Sequence, residues 1–286
     1  MKERPIFFFV IPFGLLLFAM CSSNPIFKDK DSSSQRIVKG KVRLSDNSDP
    51  GDVFVWFEGL NASTVTDEAG EFTLQIPPPQ FQPGRGMSGD FRLFYYIANY
   101  EYAISSVVIR DGYIEYGTGD VDSEGNMNDI IVLTKLLDIK TEISPSEIIK
   151  TDALRLTVSV SVTLVPDSPP IVVQTYKTPD DNWLTRMIFR EINNPIDNAV
   201  LHTAGGILVT EYISNPIQPW HMGINTHWIS PRLEPGVYDV IPYLRIVQEG
   251  LPEELIKSIG ENADAFHHDY LRIPFKWAIG RLKVLG

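Results

Sequence analysis

The sequence contains a single cysteine, Cys21, which rules out an intramolecular disulfide, so stability has to come from burial. Basic residues are also in deficit, with 25 Lys and Arg against 36 Asp and Glu and a formal net charge of −11. Phosphate and anionic lipid headgroups are bound by clustered cations. We therefore expect that the protein neither binds nucleic acid nor docks electrostatically on a membrane.

Familiar catalytic motifs are missing as well. The chain has no G-x-S-x-G, no H-E-x-x-H and no phosphate-binding loop. His221 and His227 lie six residues apart, which in a strand separates them by about 20 Å, too far for one metal ion. The adjacent His267 and His268 point to opposite sides, and with His202 we interpret all five as surface or turn histidines. The prediction is a protein without catalysis, cofactor or metal.

The N-terminus has the pattern of an export signal. Lys2 and Arg4 precede an apolar run over residues 6–20, which is shorter than the roughly 20 residues of a comfortable membrane span. We interpret residues 1–20 as a signal peptide. An uncleaved anchor is one alternative, and an ordinary signal peptide without lipidation is the other.

Cys21 directly follows that run, where a signal peptidase would cut. Residues 18–21, Phe-Ala-Met-Cys, resemble the lipobox of bacterial lipoproteins. The resemblance implies that Cys21 is acylated and that its lipid holds the protein in the bacterial cell envelope. Ser22 stands where the family's inner-membrane retention signal has Asp, which implies the outer membrane in a host that has one. Residues 21–36 then form a polar tether.

Apolar and polar residues alternate strongly from residue 37. The stretches 37–44, 53–59 and 70–77 each have one apolar face, and turn residues separate them. Such spacing, without helical runs, predicts an all-β sandwich. In this sandwich Asp67 is expected to bond backbone N–H groups of a turn for which Gly70 supplies the backbone freedom.

The same stretch resembles the opening of a carboxypeptidase regulatory-like domain, a transthyretin-type sandwich. The residues that match its pattern are Gly40, Val42, Val53, Val55, Gly59, Thr66, Asp67, Gly70, Phe72, Leu74 and Pro77. The resemblance extends over residues 37–136 and implies an accessory or structural module.

Two loops of this first domain are candidates for a binding function. Residues 77–90 are rich in Pro and Gly. This composition predicts an exposed loop that a partner protein could contact. In residues 119–129, Asp120, Asp122 and Glu124 match the first ligands of a calcium loop, but Ile131 stands where the bidentate carboxylate is needed. An acidic hairpin loop is the favoured interpretation, and calcium is the alternative.

Residues 145–286 predict a second sandwich. Residues 154–164 alternate more clearly than any other stretch and resemble the start of bacterial immunoglobulin-like domains. Tyr238 is expected to fill a corner of this sandwich. The pattern of residues 252–266 predicts a helix whose apolar stripe is Leu255, Ile259, Ala263 and Phe266. The fold class is therefore all-β, with two β-sandwich domains in tandem and one helical insertion near the C-terminus.

Three functions remain open on these patterns. The first is a non-enzymatic envelope lipoprotein that serves as a structural module or binds another envelope protein. The second is a glycan-binding lipoprotein, for which Trp220 and Trp228 are the candidate stacking residues, because aromatic rings stack on sugars. The third is an envelope hydrolase with an unrecognised site.

Overall fold

The computed structural model describes residues 34–151, 155–166, 170–179, 184–213, 220–225 and 229–286. The predicted all-β fold is confirmed, because strands dominate these ranges and are arranged in several sheets. Two buried apolar cores divide the chain, one formed by residues up to Leu133 and the other by residues from Leu136 onward. We call these parts lobe 1, residues 37–133, and lobe 2, residues 136–286.

Lobe 1 is a sandwich of a three-stranded and a five-stranded sheet, with strand orders β4-β1-β8 and β3-β2-β5-β6-β7. Its pairings are antiparallel except β1 with β8, which is parallel. The strands are β1 (Ile37–Leu44), β2 (Phe54–Phe57), β3 (Ala62–Val65), β4 (Glu71–Gln75), β5 (Gly89–Tyr96), β6 (Ala103–Arg110), β7 (Tyr113–Ile114) and β8 (Ile131–Leu133).

The turn before β4 is built as the sequence predicts. Asp67 Oδ1 accepts hydrogen bonds from the backbone N–H groups of Ala69 at 2.9 Å and Glu71 at 2.8 Å. Gly70 has a φ of +78°, and a Cβ there would lie 2.2 Å from the carbonyl oxygen of Val42. Only glycine fits this position without displacing β1.

Lobe 2 has a five-stranded sheet of order β10-β19-β17-β13-β14 and two three-stranded sheets, β16-β11-β9 and β15-β12-β18. Its strands are β9 (Leu137–Ser144), β10 (Glu147–Ile149), β11 (Arg155–Leu164), β12 (Ile171–Lys177), β13 (Arg186–Glu191), β14 (Val200–Thr203), β15 (Ile207–Ile213), β16 (Trp220–Asn225), β17 (Gly236–Pro242), β18 (Arg245–Val247) and β19 (Gly280–Leu285). Strand β9 lies in the stretch that the sequence analysis left between the two domains, and it pairs with β11.

Tyr238 fills a corner of lobe 2. Its ring is buried at the start of β17, and its hydroxyl donates a 2.8 Å hydrogen bond to the carbonyl oxygen of Glu234. Such a bond to the backbone a few residues upstream pins the chain where it enters the strand.

Helix α1 (Glu253–Ile259) is shorter than the predicted 252–266. Beyond Gly260 the chain turns instead, because the Asp269 carboxylate accepts a hydrogen bond from the backbone N–H of Asn262 at 3.1 Å. The predicted stripe still packs on one side, since Leu255 and Ala263 are fully buried and Ile259 and Phe266 lie against the same cluster. The apolar period was right, but part of it belongs to turns.

Most residues of the loop over 77–90 are exposed, as its composition predicts, but one side chain ties the loop to the rest of lobe 1. Gln82 is buried, and its Nε2 donates to the carbonyl oxygens of Pro77 at 2.7 Å and Gly112 at 2.8 Å. The side-chain oxygen of Gln82 accepts from the backbone N–H of Met87, which packs on the core of lobe 1. One buried amide therefore fastens the loop to the β6–β7 hairpin, while Phe81 stays exposed.

Candidate functional site

The acidic loop of lobe 1 uses its carboxylates to hold its own backbone. Asp122 Oδ1 accepts from the N–H groups of Glu124 and Asn126, both at 2.8 Å, and its pKa is lowered by these bonds to Asn126 and Glu124. Asp120 Oδ2 accepts from the N–H of Ser106 at 2.7 Å. No group of three metal-ligating side chains is found in the described ranges, Asp120, Asp122 and Glu124 included.

The described histidine side chains have structural contacts, and the rings of the adjacent His267 and His268 meet edge-on at 5.5 Å instead of pointing to opposite sides. His202 is buried, contrary to the expected surface or turn position, and its ring meets Phe189 edge-on at 6.4 Å. Burial lowers the pKa of His202, which keeps the ring neutral. His267 Nδ1 accepts from the N–H of Asp269, and His268 Nε2 lies 2.9 Å from the carbonyl oxygen of Ala199.

Several predicted site residues lie outside what the structure describes. Cys21 and Trp228 fall in undescribed ranges, and so does His227. The backbone of Trp220, in β16, pairs with that of Val160 in β11, but the structure does not describe the side chain of Trp220. Lipidation and sugar stacking therefore remain predictions. The described helices include none that is long and apolar enough to cross a membrane.

A third apolar cluster joins the two lobes, and we call it the lobe junction. Lobe 1 contributes side chains from the outer face of β2 and β5, and lobe 2 contributes β13, β17, helix α1 and the segment that follows it. Its buried members are Trp56, Phe94, Tyr96, Ala98, Ile188, Ala199, Ile241, Tyr243, Leu255, Ile256, Ala263, Tyr270 and Ile273. Strands β2 and β5 of lobe 1 are therefore covered on both faces, whereas Ile104 on the neighbouring β6 stays exposed.

Asn99 of lobe 1 reaches into lobe 2 with its side-chain amide. Its Nδ2 donates to the carbonyl oxygens of Lys276 at 2.7 Å and Leu137 at 3.2 Å, and its Oδ1 accepts from the N–H of Lys276 at 3.0 Å. Asn99 is fully buried. A buried amide that makes all three bonds positions the 274–278 segment tightly, because each bond would be costly to leave unmade.

Gln248 of lobe 2 makes the reverse connection to lobe 1. Its Oε1 accepts from the N–H of Tyr102 at 3.0 Å, and its Nε2 donates to the carbonyl oxygens of Tyr100 at 2.8 Å and Ala98 at 3.3 Å. The Tyr102 hydroxyl adds a 2.9 Å bond to the carbonyl oxygen of Glu249.

A cleft of about 430 Å³ opens along the lobe junction. Phe54 and Val65 line it from lobe 1, and Arg190 with the stacked rings of Phe275 and Trp277 lines it from lobe 2. Arg190 is held by Asp239, at 2.6 Å between Nη2 and Oδ2.

Asp239 is nearly enclosed, with its side chain 6% exposed. Its second oxygen lies 3.4 Å from Nε of Arg281. The carboxylate at this end of the cleft is thus neutralised by two guanidinium groups, because a buried charge needs partners.

A second polar cluster surrounds the crossover between the lobes. Asp46 accepts hydrogen bonds from Ser48 Oγ at 2.7 Å and the Tyr100 hydroxyl at 3.1 Å, and Lys135 Nζ lies 2.9 Å away. Burial alone would raise the pKa of Asp46, but the bonds from Lys135, Ser48 and Tyr100 outweigh it and lower the pKa to about 2. Lys135 also pairs with Asp138, so it connects the end of lobe 1 to the first strand of lobe 2.

The residues that build the junction are not among the site residues predicted from the sequence. Two signals were present in the sequence. Asn99 is a polar residue inside the apolar run of residues 93–100, and Asp239 is a carboxylate within the apolar strand 236–242. A polar group in a buried strand has to find partners, so each marks a place where another element docks.

No family model matches the chain, and no curated protein matches it. Solved structures that match include the TIE protein of Bacillus anthracis, at 7% identity and a TM-score of 0.22, over 75% of this chain and 31% of that one. BcpA, the major pilin subunit of Bacillus cereus, matches at 11% identity and a TM-score of 0.25, over 76% of this chain and 60% of that one. The chain spans less than two thirds of either protein, and at these TM-scores neither tells us what it does.

Proposed function

We propose that this chain is a non-enzymatic lipoprotein of the bacterial cell envelope that works as a rigid structural or protein-binding module. The observation that carries the proposal is the reciprocal fastening of the two lobes by Asn99 and Gln248 over a buried apolar cluster. Domains in tandem usually move relative to each other unless their interface is large and apolar. A junction of this kind favours a spacer or a platform that holds its surfaces at fixed positions.

Arg190 and Lys276, two of the charged residues that line the cleft, are paired with carboxylates of the fold. Asp239 is shared by Arg190 and Arg281, and Lys276 Nζ lies 3.7 Å from Asp49. A catalytic acid or base needs to be within reach of a reacting group and to exchange its proton there. Carboxylates held between cations serve a structural role better, which supports a module without catalysis.

Anchoring through Cys21 is the second part of the proposal. The described chain begins at the 3-10 turn Ser34–Arg36, where Arg36 Nη1 donates to the carbonyl oxygen of Ile76 in lobe 1. The twelve residues 22–33 would span at most about 40 Å when extended. Lobe 1 would then lie next to the membrane, and lobe 2 would face the partner, an envelope protein.

Glycan binding is the second candidate function. It is favoured by the cleft, where the parallel rings of Phe275 and Trp277, 4.2 Å apart, lie near Arg190. Aromatic rings next to charged hydrogen-bonding groups can hold a sugar, as was also proposed for Trp220 and Trp228. An envelope hydrolase is the remaining alternative.

Mass spectrometry of the N-terminal peptide and membrane fractionation test the anchor. We expect an acylated Cys21 at the N-terminus, and we expect Cys21→Ser to leave the membrane fraction while the matched Ser22→Ala stays in it. An intact Met1 terminus, or membrane recovery of Cys21→Ser equal to wild type, would refute the anchor. Hydrolysis of envelope glycans or peptides by the purified protein, lost on substitution of one carboxylate, would refute the non-enzymatic role.

A further inference from the structure

Strand β15 concentrates exposed apolar side chains at the edge of a sheet. Ile207 is 70% exposed, Leu208 48% and Tyr212 74%. The sheet order β15-β12-β18 places β15 outermost among the described strands. Natural proteins usually protect such edges with charges, prolines or short strands, because an open edge pairs with other chains.

The backbone of β15 restricts what can bind there. All seven of its residues, Ile207–Ile213, are in antiparallel register with β12. In an antiparallel pair only every second residue bonds to a given neighbour, so part of the N–H and C=O groups of β15 point away from β12. A row of such groups is satisfied best by another extended strand.

Two copies of β15 can pair with each other in antiparallel orientation, because the side chains that then face each other are compatible. With Thr210 at the centre, Leu208 lies opposite Tyr212 of a second copy and Ile207 lies opposite Ile213, which gives apolar and aromatic cross-strand pairs. The single charge, Glu211, lies opposite Val209, so no charge directly faces a like charge. A two-fold axis through Thr210 makes the interface self-complementary, as closed dimers require.

We propose that two copies of this chain dimerise by antiparallel pairing of their β15 strands. The β15-β12-β18 sheets of the two copies then form one continuous six-stranded sheet. Leu208 and Tyr212 lie on the same face of the sheet as Tyr176 and Val172, their partners in β12. The proposal goes beyond the envelope role and does not depend on the lipid anchor.

Disulfide trapping in lysates of cells that express the full chain tests the register, whatever compartment holds the protein. In this register two copies of Thr210→Cys face each other across the axis, so mild oxidation is expected to give a band of twice the monomer mass on non-reducing gels. Wild type controls for Cys21, the only native cysteine, and Val132→Cys, at a position 55% exposed in lobe 1, controls for random collision. Trapping of Val132→Cys to the same extent, or of Thr210→Cys only to a different protein, overturns the proposal.

Sedimentation of the detergent-purified full chain tests the energetics. We expect a monomer–dimer equilibrium that the double variant Leu208→Lys/Tyr212→Lys abolishes. Phe81→Lys, at an equally exposed apolar position in lobe 1, leaves the equilibrium unchanged. Glu211→Gln strengthens the dimer at least threefold, because the two Glu211 carboxylates lie diagonally across the axis. A monomer at all concentrations, or a dimer that survives the double change, overturns the proposal, and thermal unfolding verifies that each variant folds.

Discussion

Asn99 and Gln248 make the same kind of connection in opposite directions across the lobe junction. Each is a side-chain amide that donates twice to backbone carbonyl oxygens and accepts once from a backbone N–H, and Asn99 bonds lobe 2 while Gln248 bonds lobe 1. Neither can be replaced by a residue that only donates or only accepts. The junction is therefore specified by hydrogen-bond direction in addition to apolar contact.

The first prediction concerns Asn99. Asn99→Ala is expected to destabilise the protein by about 2–3 kcal/mol, because it removes the buried bond to the carbonyl oxygen of Leu137 and both bonds to the partly buried backbone of Lys276. Asn99→Asp keeps the shape but loses both donated bonds, so it is expected to be as harmful. The measurement is urea unfolding.

The matched control for Asn99 is Asn128, whose Nδ2 makes an exposed 3.4 Å contact with the carbonyl oxygen of Gly119. We expect Asn128→Ala to change the free energy of unfolding by less than about 0.5 kcal/mol. Equal losses at Asn99 and Asn128 would contradict the role assigned to the junction.

The second prediction concerns the loop over residues 77–90. Gln82→Ala is expected to lower the free energy of unfolding, measured by thermal unfolding, by about 1–2 kcal/mol. The reason is that the carbonyl oxygen of Gly112 stays buried after losing its bond to Gln82. Phe81→Ser, one residue earlier and exposed, should be nearly neutral. A neutral Gln82→Ala would show that the loop is solvated, as its composition alone indicates.

The third prediction is a pH dependence that arises from Asp46. The pKa of this carboxyl is about 2 in the folded protein and 3.8 in the unfolded chain, so its contribution to stability is fully present above pH 3.8 and is lost as the pH falls toward 2. Because the side chain is partly solvated, we expect about 1 kcal/mol. Asp46→Asn should be less stable than wild type at pH 7, and the difference should vanish near pH 2. A difference that is constant with pH would contradict this assignment.

The fourth prediction concerns calcium. The unfolding temperature should be the same in calcium and in chelator, because Asp122 already holds the backbone at Glu124 and Asn126. Asp122→Ala should lower it equally in both conditions. Stabilisation by calcium that Asp122→Ala removes would restore the calcium interpretation of the loop.

The alternation of apolar residues predicted the strands of both lobes because half-buried strands require it. Over residues 53–57 this alternation places Val53, Val55 and Phe57 on one side and Phe54 and Trp56, which are also apolar, on the other. The sequence analysis did not recognise that the second face is buried too. Trp56, Phe94 and Tyr96 pack at the lobe junction, and the apolar run in residues 93–98 was the signal for a strand covered on both sides.

The junction contacts could not be predicted from local pattern. Asn99 and Lys276 are 177 positions apart, and nothing in the residues around either one encodes the other. The helix is shorter than predicted for a similar reason. The N–H of Asn262 donates to Asp269, which lies outside the segment with the helical apolar period. Local sequence specifies which elements form, whereas side-chain partners across the fold decide where they end and dock.

Strand β19 has a consequence for how the chain is made. It is an interior strand of the five-stranded sheet, between β10 and β17, and it is formed by residues Gly280–Leu285. Lobe 1 has all of its strands once β8 has been synthesised, but the main sheet of lobe 2 lacks the strand between β10 and β17 until residue 285 is available. Translation that stops early therefore leaves β10 without its partner in the sheet and one edge of β17 open, and such products become natural substrates for proteolytic quality control.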